Sequence, residues 1–414
     1  MRKIAILLAG ATLLVGLSAC NASENTSSSS GDEISLSVWG SSPAETEGLE
    51  RTIASFEKES GIDVNIEVIQ DNFQDALTAR FAAKNAPDVT YMESSAAPKF
   101  INSGVLADIS KDIKNQEDFY QPMLDSFRDE DGKLFAVPKD YSTLAMYVNT
   151  DILTKAGYKM EDVPTDWEDL VNFSKKLQGK LDNGQSAMIF DTSIARQMSS
   201  LIASGLNPVT DDGQANFTSS PNAIAFLQSL VDGKEAGYLH NPSIDLGVDS
   251  ASAAFGSNKA VIMIEGNWVL SALKQEYADV KFEVLPAPTV NGKKQTMTFN
   301  VGYAVSKDSK NKKEAIEFVN YMTGAGLQQW SEISGTLPTR QSVAKKMNVD
   351  ENPFLKAHVQ GAEYGTVWSS GINLPVISTA FDNQFLAALN KDKTVEEAMK
   401  DAEKEANDEI ERQQ

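Results

Sequence analysis

Apolar and polar positions alternate along this chain at two periods, and the order in which those periods follow one another predicts its architecture. Ile34, Leu36 and Val38 are separated by serines, the pattern of a half-buried strand. Residues 45–60 then carry Leu49, Ile53 and Phe56 on one helical face and stop at Gly61. Ile62, Val64, Ile66 and Val68 alternate again as a second strand. Strand, helix, strand at this spacing is a βαβ unit, which implies a parallel pair with a right-handed crossover. A helix over 73–84 leads past Pro87 to a third strand at 88–92, so this part reads as doubly wound α/β.

Farther along, 134–138 and 144–148 read as two strands, and 167–177 as a helix opened by a Thr165–Glu168 capping box. The apolar run 260–264 reads as a strand covered on both faces. Strands at 282–285 and 297–305 precede a helix at 312–322 with Ala315, Phe318 and Val319 inward, and the C-terminal part is largely helical, ending at 394–411. No repeat of solenoid period is present. Size and pattern predict two α/β lobes, with a chain that passes between them more than once.

Residues 1–32 break both periods. Arg2 and Lys3 form a charged head, Ile4 to Leu17 an apolar stretch, and Ser18 and Ala19 precede Cys20, the only cysteine. This is the pattern of a secretory signal, shorter than the ~20 residues that a spanning helix needs. Leu17-Ser18-Ala19-Cys20 also resembles the bacterial lipoprotein cleavage motif. That resemblance implies a signal peptide over 1–19 and acyl chains, palmitate among them, on Cys20 as the new N-terminus. The protein would then be held at the extracytoplasmic face of the cell membrane. Residues 20–32 form the lipidated tether, whose polar run after Cys20 has a coil reach of about 20 Å. Disulfides play no part with a single cysteine.

The formal net charge of −21 opposes nucleic acid and anionic lipid as partners. The two histidines, His240 and His358, sit in no catalytic motif, and neither a Gly-rich lysine loop nor His/Cys metal spacing occurs. Most familiar catalytic chemistry is thereby excluded, and the expectation, together with the resemblance described next, is a binding protein rather than an enzyme, with no cofactor or metal.

Several segments, taken in order, carry a family resemblance. They are Ser37-Val38-Trp39, Ala86-Pro87-Asp88-Val89, Gly132 to Pro138 followed by Tyr147 to Leu153, and Glu265-Gly266-Asn267-Trp268. Gly302 to Lys307, Gly335 to Arg340 and Thr394 to Ala398 follow. Together they resemble the substrate-binding proteins of carbohydrate ABC importers, the group (extracellular solute-binding protein family 1) that includes maltose-binding and multiple-sugar-binding members. The resemblance implies a periplasmic-binding-protein-like fold, two doubly wound α/β lobes joined by hinge segments and closing over a ligand in the cleft. It implies an N-terminal lobe of 33–140 plus 300–328 and a C-terminal lobe of 141–299 plus 329–414. The implied partners are a sugar or short oligosaccharide, a membrane permease and, through it, a cytoplasmic ATPase, with the protein itself a monomer.

A pyranose presents hydroxyls at its edge and C–H groups on its faces, so its site needs carboxylates or amides and flat aromatic rings. In open α/β sheets the ligand crevice lies beyond the carboxyl ends of the strands. On that rule Trp39, Glu93 and Ser94, and Asn267 and Trp268 are candidate ligand contacts, and the ring of Trp39 need not belong to the strand's core; Asp140 and Tyr141 are candidates because the resemblance implies that the chain there passes from one lobe to the other along the cleft wall. Gly266 lets backbone approach a ligand. Trp368 is a further candidate, whereas Trp167 reads as structural, and Trp330 as packing between lobes. Arg340 is read either as a ligand contact or as a brace at the crossing. The late tryptophan of the maltose-binding members has no counterpart, Ser378 falling near its place. Rival readings are the same scaffold with another cargo (polyol, glycerophosphodiester, peptide or metal ion), a secreted glycosidase built on paired carboxylates, and a lipoprotein that binds only proteins.

Overall fold

The computed structural model describes residues 32–413. The segments expected to be a signal peptide, the lipidated Cys20 and a tether lie, up to residue 31, outside the described residues. Eleven strands are present: β1 (Glu33–Trp39), β2 (Asp63–Ile69), β3 (Val89–Glu93), β4 (Ala136–Asn149), β5 (Ser186–Ile189), β6 (Leu239–His240), β7 (Ala260–Gly266), β8 (Phe282–Pro286), β9 (Met297–Val305), β10 (Leu337–Pro338) and β11 (Thr366–Val367). They run in the order β2-β1-β3-β9-β4-β7-β5-β6, with β8 and β10 beside β4 and β11 beside β9. Strands β1, β2 and β3 are parallel to one another, and so are β5, β6 and β7. This is the α/β class that the alternating periods predict.

Each parallel group carries its own core. Ile34, Leu36 and Val38 of β1 pack with Leu49, Ile53 and Phe56 of the helix Pro43–Ser60, and the late segment Tyr303 to Trp330 completes that core. The helix begins where Ser42 and Glu45 form a reciprocal capping box and ends at Gly61, whose φ of 76° is the left-handed value glycine tolerates. The other large core gathers Leu144, Met146 and Val148 with the helices Trp167–Gln178, Ile194–Ala203 and Pro221–Glu235 and the C-terminal helices Leu374–Leu389 and Val395–Gln413. Among the described residues no helix is long and apolar enough to cross a membrane.

Two local expectations need correction. Residues 134–138 and 144–148 are not separate strands: β4 runs unbroken from Ala136 to Asn149, joining most of the first to the whole of the second, and all its residues are buried. Lys139 and Asp140, which look like a polar interruption, bond to each other inside the protein, and a bulge between Pro138 and Asp140 absorbs the proline. The helix at 167 is capped by Asp166, whose side chain accepts from the Glu168 N–H, so Thr165 is not the cap.

The first half of β4 pairs with β9, while its second half lies between β7 and β8. Strand β9 also pairs with β3. The β4:β9 pair therefore crosses from one core to the other. At Gly302 of β9, a Cβ would come 2.7 Å from the Val137 carbonyl oxygen, so glycine is required for the strands to approach. Gly302→Ala is expected to cost about 1–3 kcal/mol, the range for forced overpacking. A lowered urea midpoint with an unchanged slope is the expected reading, and an unchanged midpoint would contradict this packing.

Candidate functional site

The strand registers bring distant carboxyl ends together. Glu93, the last residue of β3, pairs with Val301 of β9. Gly266, the last residue of β7, pairs with Leu144 of β4, next to Thr143, which pairs with Thr298. Because β3 and β7 run in opposite directions in this sheet, their ends come to within about 13 Å of each other measured along β9, with β9 and β4 between them. The strand-end rule points to this region as the candidate site.

Trp268 stands just past β7 and is 38% exposed, unusual for so large a ring. It leans back on Gly266, where a Cβ would fall 2.2 Å from the indole. The Phe299 ring meets it edge-on at 5.4 Å, and the Arg196 guanidinium lies 5.0 Å from its centroid and 5.2 Å from that of Phe299. Arg196 Nε is 3.4 Å from Glu265 Oε2. Glu265 is 6% exposed, and burial pushes its carboxyl up, Arg196 opposing and Asp191 adding to the rise. Asn267 donates its backbone N–H to Ser142 Oγ at 3.0 Å, while its buried Oδ1 has no protein partner. That free acceptor suits a ligand hydroxyl.

Ser94 and Trp368 join this group from other parts of the chain. The Ser94 hydroxyl donates to the Trp368 carbonyl at 2.9 Å, and the Trp368 N–H donates to the Thr298 carbonyl at 2.8 Å. Glu93 is exposed, and desolvation by the surrounding protein pushes its carboxyl up against an opposing Ser95 bond.

The other candidates are placed differently. Trp39 does not stand clear of the core: its ring meets Phe73 at 5.3 Å and Tyr91 at 4.9 Å, both edge-on, and remains half-buried. Asp140 is buried beside Lys139, whose Nζ lies over the rings of Tyr91 at 4.6 Å and Trp330 at 4.1 Å. Burial pushes the Asp140 carboxyl up and the ammonium opposes it. Trp330 packs in the core formed around β1 and β3. Tyr141 is buried among Met123, Leu337 and Val349. Arg340 resolves to the bracing alternative, since its guanidinium donates to the carbonyls of Thr323, Asn115 and Lys114 and lies over Phe119. Trp167 is structural as read, donating its Nε1–H to Ser229 Oγ at 2.9 Å.

Sequence reasoning missed Asp191, Arg196 and Phe299. Asp191 follows the short strand β5, so the strand-end rule would have reached it had that strand been recognised. Asp191 accepts from the Ser193 N–H at 2.7 Å, at the start of the helix that carries Arg196. Asp382 accepts from the Ile194 N–H at 2.7 Å and is pushed up to about 6, mainly by burial, with Asp191 adding. Among the described residues no group of three or more His, Asp or Glu side chains is arranged to hold a metal ion.

A family model described as bacterial extracellular solute-binding protein matches residues 51–357. A maltodextrin-binding protein of Bacillus subtilis is 25% identical over 418 aligned positions, covering 97% of this chain and 96% of that one. A multiple sugar-binding protein of Streptococcus mutans is 25% identical, with 89% and 90% covered. Among solved structures, a Listeria monocytogenes ABC substrate-binding protein in complex with cycloalternan superposes with a TM-score of 0.82 at 21% identity, covering 92% of this chain and 99% of that one. A maltose-bound protein of T. maritima gives 0.79 at 22%, covering 90% and 98%. These likenesses identify the fold as the two-lobed, periplasmic-binding-protein-like one.

Two measurements probe the charges described. Lys139→Met strands the Asp140 carboxylate in the interior and is expected to cost about 3–5 kcal/mol, with much of it recovered in Lys139→Met/Asp140→Asn; denaturant midpoints read both, and an unaffected single variant would contradict the pairing. A carboxyl raised in the folded state keeps its proton longer there, so it favours folding at low pH and loses that contribution as pH rises to about 6. Asp382→Asn should therefore remove part of a stability decline between the ordinary carboxyl range and about pH 6, and identical pH profiles for the two proteins would show that Asp382 is not raised.

Proposed function

This chain belongs to the bacterial extracellular solute-binding proteins, and from that membership we propose that it captures a sugar or short oligosaccharide outside the membrane and hands it to an ABC permease. The observation that carries the proposal is the exposed Trp268 ring set beside Phe299, Arg196 and Glu265 where the strand ends converge. A flat apolar surface next to fixed hydrogen-bonding groups matches the two surfaces of a pyranose. Relatives named for maltodextrin and for multiple sugars support the same class of ligand.

In this reading the ligand touches Trp268 and Asn267 from one lobe and Glu93 and Ser94 from the other, with Trp39 and Trp368 at the margins. Asp140 and Tyr141 act through the wall behind the contacts, and Arg340 through the crossing. The lobes comprise 33–140 with 300–328 and 141–299 with 329–414, and closure is favoured because the ligand binds the closed arrangement more tightly than the open one. The chain works as a monomer tethered by acyl chains on Cys20, and the permease engages a cytoplasmic ATPase. Its relatives are named as binding proteins, and no catalytic step is assigned to it.

A different cargo, such as a glycerophosphodiester, is less well supported. The one cation described beside Trp268, Arg196, already faces Glu265, and the surrounding Asp191 and Glu93 repel an anion.

Calorimetry on mature-length protein lacking Cys20 is expected to find binding to one saccharide in a broad panel, with Trp268→Ala weakening it by about tenfold or more. Full affinity in the variant would remove Trp268 from the site. Binding of a charged solute with failure of every sugar would overturn the carbohydrate reading.

A further inference from the structure

The segment Glu265 to Trp268 is held from behind by β4, and β4 is held in turn by the helix Lys356–Gly361. The Tyr147 hydroxyl lies 3.3 Å from the Gly266 carbonyl oxygen and 2.7 Å from His358 Nε2. His358 Nδ1 is 2.6 Å from the Thr143 carbonyl oxygen, and the Thr143 hydroxyl donates to the His358 carbonyl at 2.8 Å. Tyr147 and His358 are fully buried.

These contacts dictate where the protons lie. A carbonyl oxygen only accepts, so the imidazole proton must be on Nδ1, which leaves Nε2 a lone pair. The Tyr147 hydroxyl then donates to Nε2. A phenol has a single proton, so its bonds to Nε2 and to the Gly266 carbonyl compete, and the histidine holds the shorter one. Burial keeps His358 at about 4, so the imidazole is neutral at ordinary pH.

We propose that His358 is a positioning residue for the ligand-binding segment: by accepting the Tyr147 proton it fixes where the phenol stands, and the phenol oxygen, 3.3 Å from the Gly266 carbonyl oxygen, limits how far the Gly266 backbone against which the Trp268 ring lies can shift. The helix carrying His358 follows β10, which pairs with β4 at Asp140 and Tyr141. Trp268 is thereby connected to the strand that passes between the cores. The consequence for affinity rests on the proposed role of Trp268, whereas the positioning itself is measurable without ligand.

The first test is nitrogen-15 NMR of the two imidazoles in the unliganded protein. The Nδ1–H form of His358 is expected, and the Nε2–H form would overturn the proposal. The second follows collisional quenching of Trp268, isolated as the difference between each protein and its Trp268→Phe counterpart. Tyr147→Phe and His358→Phe should each change that quenching, and the double variant should do no more than either alone. His358→Gln, whose amide oxygen accepts from Tyr147, should restore it. Unchanged quenching in Tyr147→Phe, or additive effects in the double variant, would overturn the proposal. Once a saccharide is known, Tyr147→Phe should weaken binding roughly two- to tenfold, the range of one lost hydrogen bond. A quenching response in a protein that binds no sugar would defeat the carbohydrate reading and leave His358 in this role; tight sugar binding with no quenching response would do the reverse.

Discussion

The antiparallel pairing of β4 with β9 is the constraint on which the rest of the structure depends, because these two strands serve both cores at once. Their register sets where Glu93 and Gly266 end up, and a slip of one residue would turn every side chain on the moved strand to the opposite face. The bulge at Pro138 and the bare backbone of Gly302 allow the close approach. Neither strand has a solvent face in which an error could be hidden: β4 is buried along its whole length. The placement of these strand ends is thus set by backbone pairing first and by side chains second.

Buried charge is the second theme. Glu93, Asp140, Glu265 and Asp382 all have carboxyls pushed up by burial. At Asp140 the cost is offset by Lys139 and the aromatic faces around it, and at Glu265 in part by Arg196.

Periodic segments were legible in the sequence because periodicity reports local packing. β1, the helix after it, β2, β3 and β9 all follow from spacing alone, and the positions of Ser94 and Trp268 just past strands β3 and β7 follow with them. The unread parts are those whose cause lies far away in the chain. β5 is short and all buried, so it shows no alternation, and with it Asp191 was lost. Lys139 and Asp140 look like a loop until the rings of Tyr91 and Trp330 are seen beside them. Arg340 was ambiguous for the same reason: the carbonyls it bonds belong to residues 114, 115 and 323. Trp39 was read from the phase of its strand, but Phe73 and Tyr91 come from other elements and meet its ring.

The core around β1 and β3 closes only when Tyr303 to Trp330 has joined it, since β3 takes β9 as its neighbour. A chain emerging from the ribosome therefore spends most of its synthesis with that core incomplete and the edge of β3 unpaired. Contacts of such long sequence separation are slow to form, because loop-closure entropy must be overcome before any pairing is gained. The topology that brings the ends of β3 and β7 toward each other therefore also delays compaction of the newly made chain.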